Sequence, residues 1–560
     1  MLLNMKYFYT IFLSFLVMQG MSQIAPDTYF VQFSDKNNSP YEITNPSGFL
    51  SQRALLRRQN QQISIVENDL PVNPQYLEGI AQTGATLLFP TKWLNGVTIQ
   101  TTSQTVLDAI SALPYVVSLR QLSDQPLKQE IKNKVFFAEE LVGDQYSPAL
   151  QAYPKQATVF DYGNGFTQIN QINGIPLHDA GYRGQGMMIA ILDGGFTDTE
   201  THVAFDSLWI NNQILGTKDF VHPGGSVFTE SSHGTSVLST IGANVPGQLI
   251  GTAPKAMFWL LRSEYVFSEH LIEEYNWVSA AEFADSVGVD IINSSLGYID
   301  FDFPQWNHTY EHMNGNTAVV TRGADLATSK GILVVNSAGN SGGNSGFPYI
   351  GAPADGFNVF SIGAVTGDGT RASFSSIGPT FDGRIKPDIM AMGQGTALAN
   401  GNNNFTFGNG TSFSSPVIAG MSACLWQANP SFTNLTVKEA IKMSSDNALQ
   451  PNVTYGYGIP DFFQANSFLT SIDTGLQKEV KLLQVSPNPF VTVNNIQFFT
   501  NSECNIRIYD VHAKMIHEIQ LNGYASARLS QLLNSLKAGF YSIEVTSEEK
   551  IQILKVIKIN

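Results

Sequence analysis

Five runs in the middle of the chain are apolar almost without a break: "MMIAILD", "AMFWLLRS", "VDIINSSL", "GILVVNSAG" and "NVFSIGAV". A strand buried on both faces reads this way, because neither side of its pleat meets water. Between them, "HLIEEYNWVSAAEFADSVG" and "TAVVTRGADLATSKG" place apolar residues at helical spacing. Strands alternating with helices predict an α/β fold, a parallel sheet with helices on both faces. In such sheets, reactive groups gather beyond the carboxyl ends of the strands.

The pattern changes on either side of this region, which spans 158–472. Residues 23–122 read as a compact α+β unit. "DTYFVQF" is a strand, "PSGFLSQRALLRR" and "PQYLEGIAQTG" are helices, "ATLLFPTKWLNGVTIQT" is two strands, "TVLDAISALP" a helix and "YVVSLRQL" a closing strand. This unit contains no histidine. Residues 123–157 are a polar connector, and 473–483 a second one. From 484 to 560, short alternating strands such as "CNIRIYDV", "MIHEIQL" and "GFYSIEVTS" predict a small β-sandwich.

Residues 1–22 read as a secretory signal peptide. Lys6 precedes an apolar stretch from Tyr7 to Met18, and Gly20 and Ser22 are the small residues before a cut at Gln23. No other stretch reaches about 18 uninterrupted apolar residues, so no transmembrane span is expected in the mature protein. Charged residues make up 14% of the chain and the net charge is −15. That balance argues against nucleic-acid partners. Cys424 and Cys504 fall in different units, so no disulfide framework is expected.

A nucleophilic serine needs a base, an acid that orients the base, and donors for an oxyanion. The α/β region offers each at a strand end or helix start. Asp193 closes "MMIAILD", His233 opens "HGTSVLSTIGA", Asn340 closes "VVNSAGN", and Ser412 stands where "NGTS" enters a helical run. Pro416 is expected in the first turn of that helix, where its missing N–H costs nothing. Ser414 and Ser415 are expected to pack or cap there.

"GQGMMIAILDGG", "SSHGTSVLSTIGA" and "NGTSFSSPVIAG" resemble the three active-site blocks of subtilisin-like serine proteases, in the subtilisin order Asp, His, Ser. The resemblance implies Asp193 as orienting acid, His233 as general base and Ser412 as nucleophile. It implies an oxyanion hole made by Asn340 and the Ser412 backbone N–H. "INSSLG" resembles the substrate-binding strand, which implies that Ser295, Leu296 and Gly297 pair with an extended peptide. Gly351 is expected at the base of a pocket for a large apolar side chain. Departures stand at Gly194, Leu238, Ser239, Ser414 and Ser415, and none is a catalytic position.

Under the same resemblance, residues 23–122 are a propeptide acting as chaperone and intramolecular inhibitor. The tail is similar to the C-terminal sorting domain of type IX secretion cargo. Together these imply a self-processing zymogen that acts on protein or peptide substrates. It would reach the cell surface or medium through the signal peptide and then the secretion machinery. No cofactor is required, and structural calcium is possible without a readable ligand set. An imidazole base with an ordinary pKa near 6.5 implies activity at neutral to alkaline pH.

Other readings compete. "HTYEH", His308 to His312, fits a metallopeptidase pattern with two histidines on one helical face. "GNSGG", Gly339 to Gly343, fits a nucleophile elbow. A subtilisin fold kept as an inactive surface binding protein is the non-enzyme alternative.

Overall fold

A computed structural model describes residues 27–123, 141–142, 158–476, 483–493, 495–498, 503–511, 514–521, 526–547 and 550–559. The signal peptide and nearly all of the 123–157 connector lie outside the described residues.

The middle of the chain builds one seven-stranded sheet, parallel throughout. Its spatial order is Ile389–Met392, Phe360–Val365, Leu333–Ser337, Ile291–Ser294, Met188–Asp193, Met257–Arg262 and Ile214–Asp219. The central strand shows why its sequence is apolar throughout. Ile189 and Ile191 point into a core with the helices His233–Gly242 and Thr411–Ala428. Met188, Ala190 and Leu192 point the other way, into a core with Ile272–Val287 and Val319–Ser329. Full burial of Ile189 and Ile191 contributes roughly 1.5–3 kcal/mol each. The edge strand Ile214–Asp219 has half-buried and exposed positions with only its last residue, Asp219, buried, and its sequence, "ILGTKD", carries no strand signal.

Residues 28–121 fold as a four-stranded antiparallel sheet, in the order Thr86–Thr91, Gly96–Gln100, Thr28–Phe33, Val116–Gln121. Three helices accompany it, at Gln52–Asn60, Pro74–Gln82 and Gln104–Ser111. The unit docks on the second face of the large domain, where Phe30, Trp93 and Leu122 join the core around Trp277.

The connector contributes a two-residue strand, Leu141–Val142. It pairs antiparallel with Phe407 and Gly408, at the end of the hairpin Gln394–Asn400 and Asn404–Asn409. Near the other end, the helix Phe462–Leu476 runs on into the stretch expected to be a connector from 473. The tail holds a two-stranded and a four-stranded antiparallel sheet. It also holds a helix, Ser526–Asn534, where the pattern had predicted strands alone; Leu529 and Leu533 bury it in the tail's core. No helix among the described residues is long and apolar enough to cross a membrane.

Candidate active site

Asp193 is the last residue of the central strand and fully buried. Its Oδ1 accepts the Gly194 N–H at 2.7 Å. Both carboxylate oxygens lie against Nδ1 of His233, at 2.8 and 2.9 Å. The carboxylate can only accept, so Nδ1 carries the proton and Nε2 is the nitrogen able to act as a base. His233 is the first residue of its helix and donates its backbone N–H to Ser231 Oγ at 3.1 Å. The next residue has to be glycine. A Cβ on Gly234 would stand 2.4 Å from the Gly195 carbonyl oxygen, in the loop that follows Asp193.

Ser412 is the second residue of the helix Thr411–Ala428. Its N–H is one of the four at a helix start that have no acceptor inside the helix. Asn340 fastens that start, because its Oδ1 accepts both the backbone N–H and the hydroxyl of Thr411 at 2.9 Å. With the oxygen engaged there, the carboxamide's Nδ2 is the end left to donate elsewhere. The Phe413 ring lies 6.1 Å from the His233 ring, so the serine and histidine helices meet at this point.

Pro416 is not in the first turn. The helix begins at Thr411, which makes Pro416 its sixth residue and places it inside. A proline there leaves the carbonyl four residues back without its N–H partner. That carbonyl belongs to Ser412, and Ser295 Oγ donates to it at 2.8 Å. In return, Ser412 Oγ donates to the Ser295 carbonyl at 3.3 Å. The proline thus frees the nucleophile candidate's carbonyl to be clamped by the neighbouring strand. Ser414 Oγ donates to the Thr411 carbonyl, and Ser415 Oγ to Asn293 Oδ1, both at 3.0 Å.

Ser295, Leu296 and Gly297 continue beyond the strand Ile291–Ser294. The Leu296 carbonyl accepts from Asn336 Nδ2 at 3.0 Å, and Tyr298 N–H donates to the Ala352 carbonyl at 2.8 Å. Gly351 donates to the Ala338 carbonyl at 3.3 Å, two residues before Asn340. The segments holding Ser295, Asn340 and Gly351 therefore converge on one place.

The competing motifs come apart. His308 and His312 do not share a helical face, because only Tyr310–His312 is helical and as a single 3-10 turn. His308 Nε2 lies 2.6 Å from the fully buried Glu274 Oε1, and His312 Nδ1 accepts the Thr309 N–H at 3.2 Å. After "GNSGG" the chain runs through turns and no helix opens. Among the described residues, the group able to hold a metal ion is Glu264, Glu269 and Glu273, with ligand atoms within 4.8 Å of one another. No such ligand set was readable in the sequence.

A charged seam escapes the sequence as well. Arg57 and Arg58, from the helix Gln52–Asn60, reach the buried Asp285 with Arg57 Nη2 at 2.6 Å and Arg58 Nη2 at 2.9 Å, and Lys92 Nζ lies at 3.0 Å. Arg58 also pairs with Asp69 at 2.9 Å, which in turn meets Lys330 at 3.0 Å. Burial raises the Asp285 carboxyl, but Lys92, Arg57 and Arg58 outweigh it and hold the group at about 2. Glu282, one turn earlier, accepts the backbone N–H groups of Lys92 and Trp93 at 2.8 and 2.9 Å. "LLRRQ" and "AEFADS" signal charge on two helices, but nothing in either says that they meet.

An acid-held histidine and a serine at a helix start, at the carboxyl edge of a parallel sheet, define the class as a serine hydrolase. Residues 184–459 match the Subtilase family, residues 28–135 the Peptidase S8 propeptide domain of Bacteroidota, and residues 484–560 the secretion system C-terminal sorting domain. Subtilisin NAT of Bacillus subtilis subsp. natto is 31% identical over 294 residues, spanning 52% of this chain and 68% of that protein. Subtilisin E of Bacillus subtilis (strain 168) gives the same identity and coverage. Subtilisin of Bacillus pumilus is 30% identical over 52% of this chain and 94% of its own length. The chain belongs to the subtilase family. It is a subtilisin-like serine endopeptidase made with a propeptide, and its type IX sorting domain directs it across both membranes to the cell surface or beyond. The metallopeptidase and inactive-fold readings are set aside.

Proposed function

We propose that the enzyme is a self-processing zymogen that cleaves peptide bonds through Asp193, His233 and Ser412. His233 Nε2 takes the Ser412 proton as Oγ attacks the scissile carbonyl, and an acyl-enzyme forms. Asp193 holds the imidazole tautomer and stabilises its charge once protonated. Asn340 Nδ2 and the Ser412 N–H stabilise the oxyanion. His233 then protonates the leaving amine, and water repeats the attack. The substrate lies extended along Ser295–Gly297, with its specificity side chain over Gly351. No cofactor enters the reaction, and calcium would have only a structural part. The observation that carries this reading is the double contact of Asp193 with His233 Nδ1.

Self-processing has its own support. The connector backbone at Leu141–Val142 pairs with Phe407–Gly408, on the strand that leads into the serine helix, which supports a maturation zone that can reach the site. Residues 23–122 act as the inhibitor, 158–472 as the peptidase unit and 484–560 as the export signal.

Ser412→Ala tests the reading. The purified variant is expected to remain a full-length precursor with no peptidase activity. Maturation and peptide hydrolysis that both survive would show that Ser412 is not the nucleophile. Cleavage of a peptide library by the mature enzyme is expected to show large apolar residues before the cut, and a strict preference for acidic residues there would refute the role of Gly351.

A further inference from the structure

On the side of the peptidase domain that meets the tail, a cavity of about 330 Å³ lies between the helix Asn434–Met443 and the 383–388 loop. Ile559, just past the last strand, closes one side. In a chain of net charge −15, the wall of this cavity is basic. Arg384, Lys386, Lys438 and Lys442 line it, against two carboxylates, Asp388 and Glu439.

The lysines crowd round one acid. Asp388 lies 2.7 Å from Lys386 Nζ, 3.8 Å from Lys438 Nζ and 3.9 Å from Lys442 Nζ. All three lysine side chains are at least nine-tenths buried. Burial pushes the Lys438 ammonium down to about 7, against the pull of Asp388. Buried positive charge in excess of its carboxylates is costly unless something discharges it.

Two buried charged atoms on the same wall have no protein partner among the described residues. Arg384 gives Nε to Asp382 at 2.8 Å and Nη1 to the Asp355 carbonyl at 2.7 Å, but Nη2 has no acceptor. Glu439 Oε2 accepts from Lys442 Nζ at 3.2 Å, but Oε1 has no donor. The wall asks for a ligand that is anionic, accepts from a guanidinium and a lysine, and also donates once to a carboxylate. A fully ionised oxyanion such as sulfate has no proton to give. Hydrogen phosphate has acceptor oxygens and one P–OH donor.

We propose that this cavity is a binding site for hydrogen phosphate, with Arg384, Lys438 and Lys442 holding its charged oxygens and Glu439 accepting from its hydroxyl. The ligand is free inorganic phosphate: a phosphate monoester, with a second pKa of about 6, is at neutral pH a dianion without a P–OH, and like sulfate it has no proton to give Glu439. The test uses the full-length Ser412→Ala protein, which keeps the cavity residues. Calorimetric titration at fixed ionic strength is expected to show one saturable site for inorganic phosphate. Sulfate should bind at least tenfold more weakly, the fold-change of about one hydrogen bond to a charged group. Glu439→Gln should narrow that gap, because an amide no longer requires a donor. Lys438→Met should weaken phosphate binding about tenfold or more. Arg384→Gln, at a part-exposed position, should weaken it about tenfold or more, with affinity measured below the variant's own phosphate-free melting temperature. A soluble phosphate monoester should bind as weakly as sulfate at neutral pH, and tighter binding of the monoester than of phosphate would count against the proposal. Absence of saturable phosphate binding, unchanged affinity in Arg384→Gln, or equal affinity for sulfate would overturn the proposal.

Discussion

Asn340 has two jobs that pull on opposite ends of one carboxamide. Its oxygen fixes the first residue of the serine helix, and its nitrogen is the proposed oxyanion donor. Asn340→Ala should therefore lower kcat by roughly a hundredfold to a thousandfold, the size of losing one such donor in relatives of this enzyme. It should also loosen the helix start, so the fall in kcat is expected with a small drop in melting temperature. Asn340→Asp keeps the acceptor for Thr411 and removes the donor. It should recover the melting temperature and leave kcat low, a split that separates the two jobs.

His178, far from the reaction, sets an acid limit on the fold. Its Nε2 bonds to the Thr252 carbonyl at 2.9 Å, so Nε2 carries the proton and Nδ1 accepts the Tyr162 hydroxyl at 2.9 Å. Burial pushes the imidazole down to about 4. A histidine depressed on folding takes up its proton more readily unfolded. Stability should hold above pH 6.5 and fall as pH drops toward 4, by about 3 kcal/mol in total for this group. Denaturant melts of the Ser412→Ala protein across that range would show the slope, and His178→Gln should flatten it.

The candidate reactive residues stood out in the sequence because each stands beside residues that fix it locally: a glycine after His233, a strand before Asp193, "GT" before Ser412. Pro416 was misplaced because the helix start depends on Asn340, 71 residues away in sequence, fastening Thr411. The pair in "HTYEH" misled for the same kind of reason, since Glu274, on another helix, claims His308.

At the scale of elements, the buried strands were the most readable feature, and the reason is that both their faces are covered. What escaped was mixed in pattern. "ILGTKD" is an edge strand with half its residues in water, and "SARLSQLLN" is a helix between strands. The pairing of elements was less readable still. The helix Ile272–Val287 presents Glu282 and Asp285 one turn apart, and the propeptide answers with Arg57, Arg58 and Lys92. Buried ion clusters add little over apolar packing, but removing one partner strands the others. Asp285→Ala in the Ser412→Ala background is expected to lose about 3–5 kcal/mol from docking. Added trypsin should then digest the propeptide in the double variant and spare it in Ser412→Ala alone.

Across the whole molecule, three units with separate cores sit in one chain, and they are separable in the sequence because each has its own period of apolar residues. Their contacts could not be read, because a contact between units leaves no period. The charged seam carries a consequence for the moment when such a contact is broken. In the precursor, Arg57 and Arg58 are 5% and 1% exposed, held by a carboxylate that belongs to the enzyme. When the propeptide leaves, Arg57 loses Asp285 and Arg58 keeps only Asp69 of its own unit, so the adjacent arginine pair is opened on a short helix. It is then the kind of sequence that trypsin-like proteases cut. Under the proposed self-processing, the group that docks the propeptide would thus also be a cleavage mark, hidden while the segment is docked and exposed when it leaves. Under the proposed maturation, such an arrangement would give activation a direction in time, with the freed segment open to cleavage before it can return.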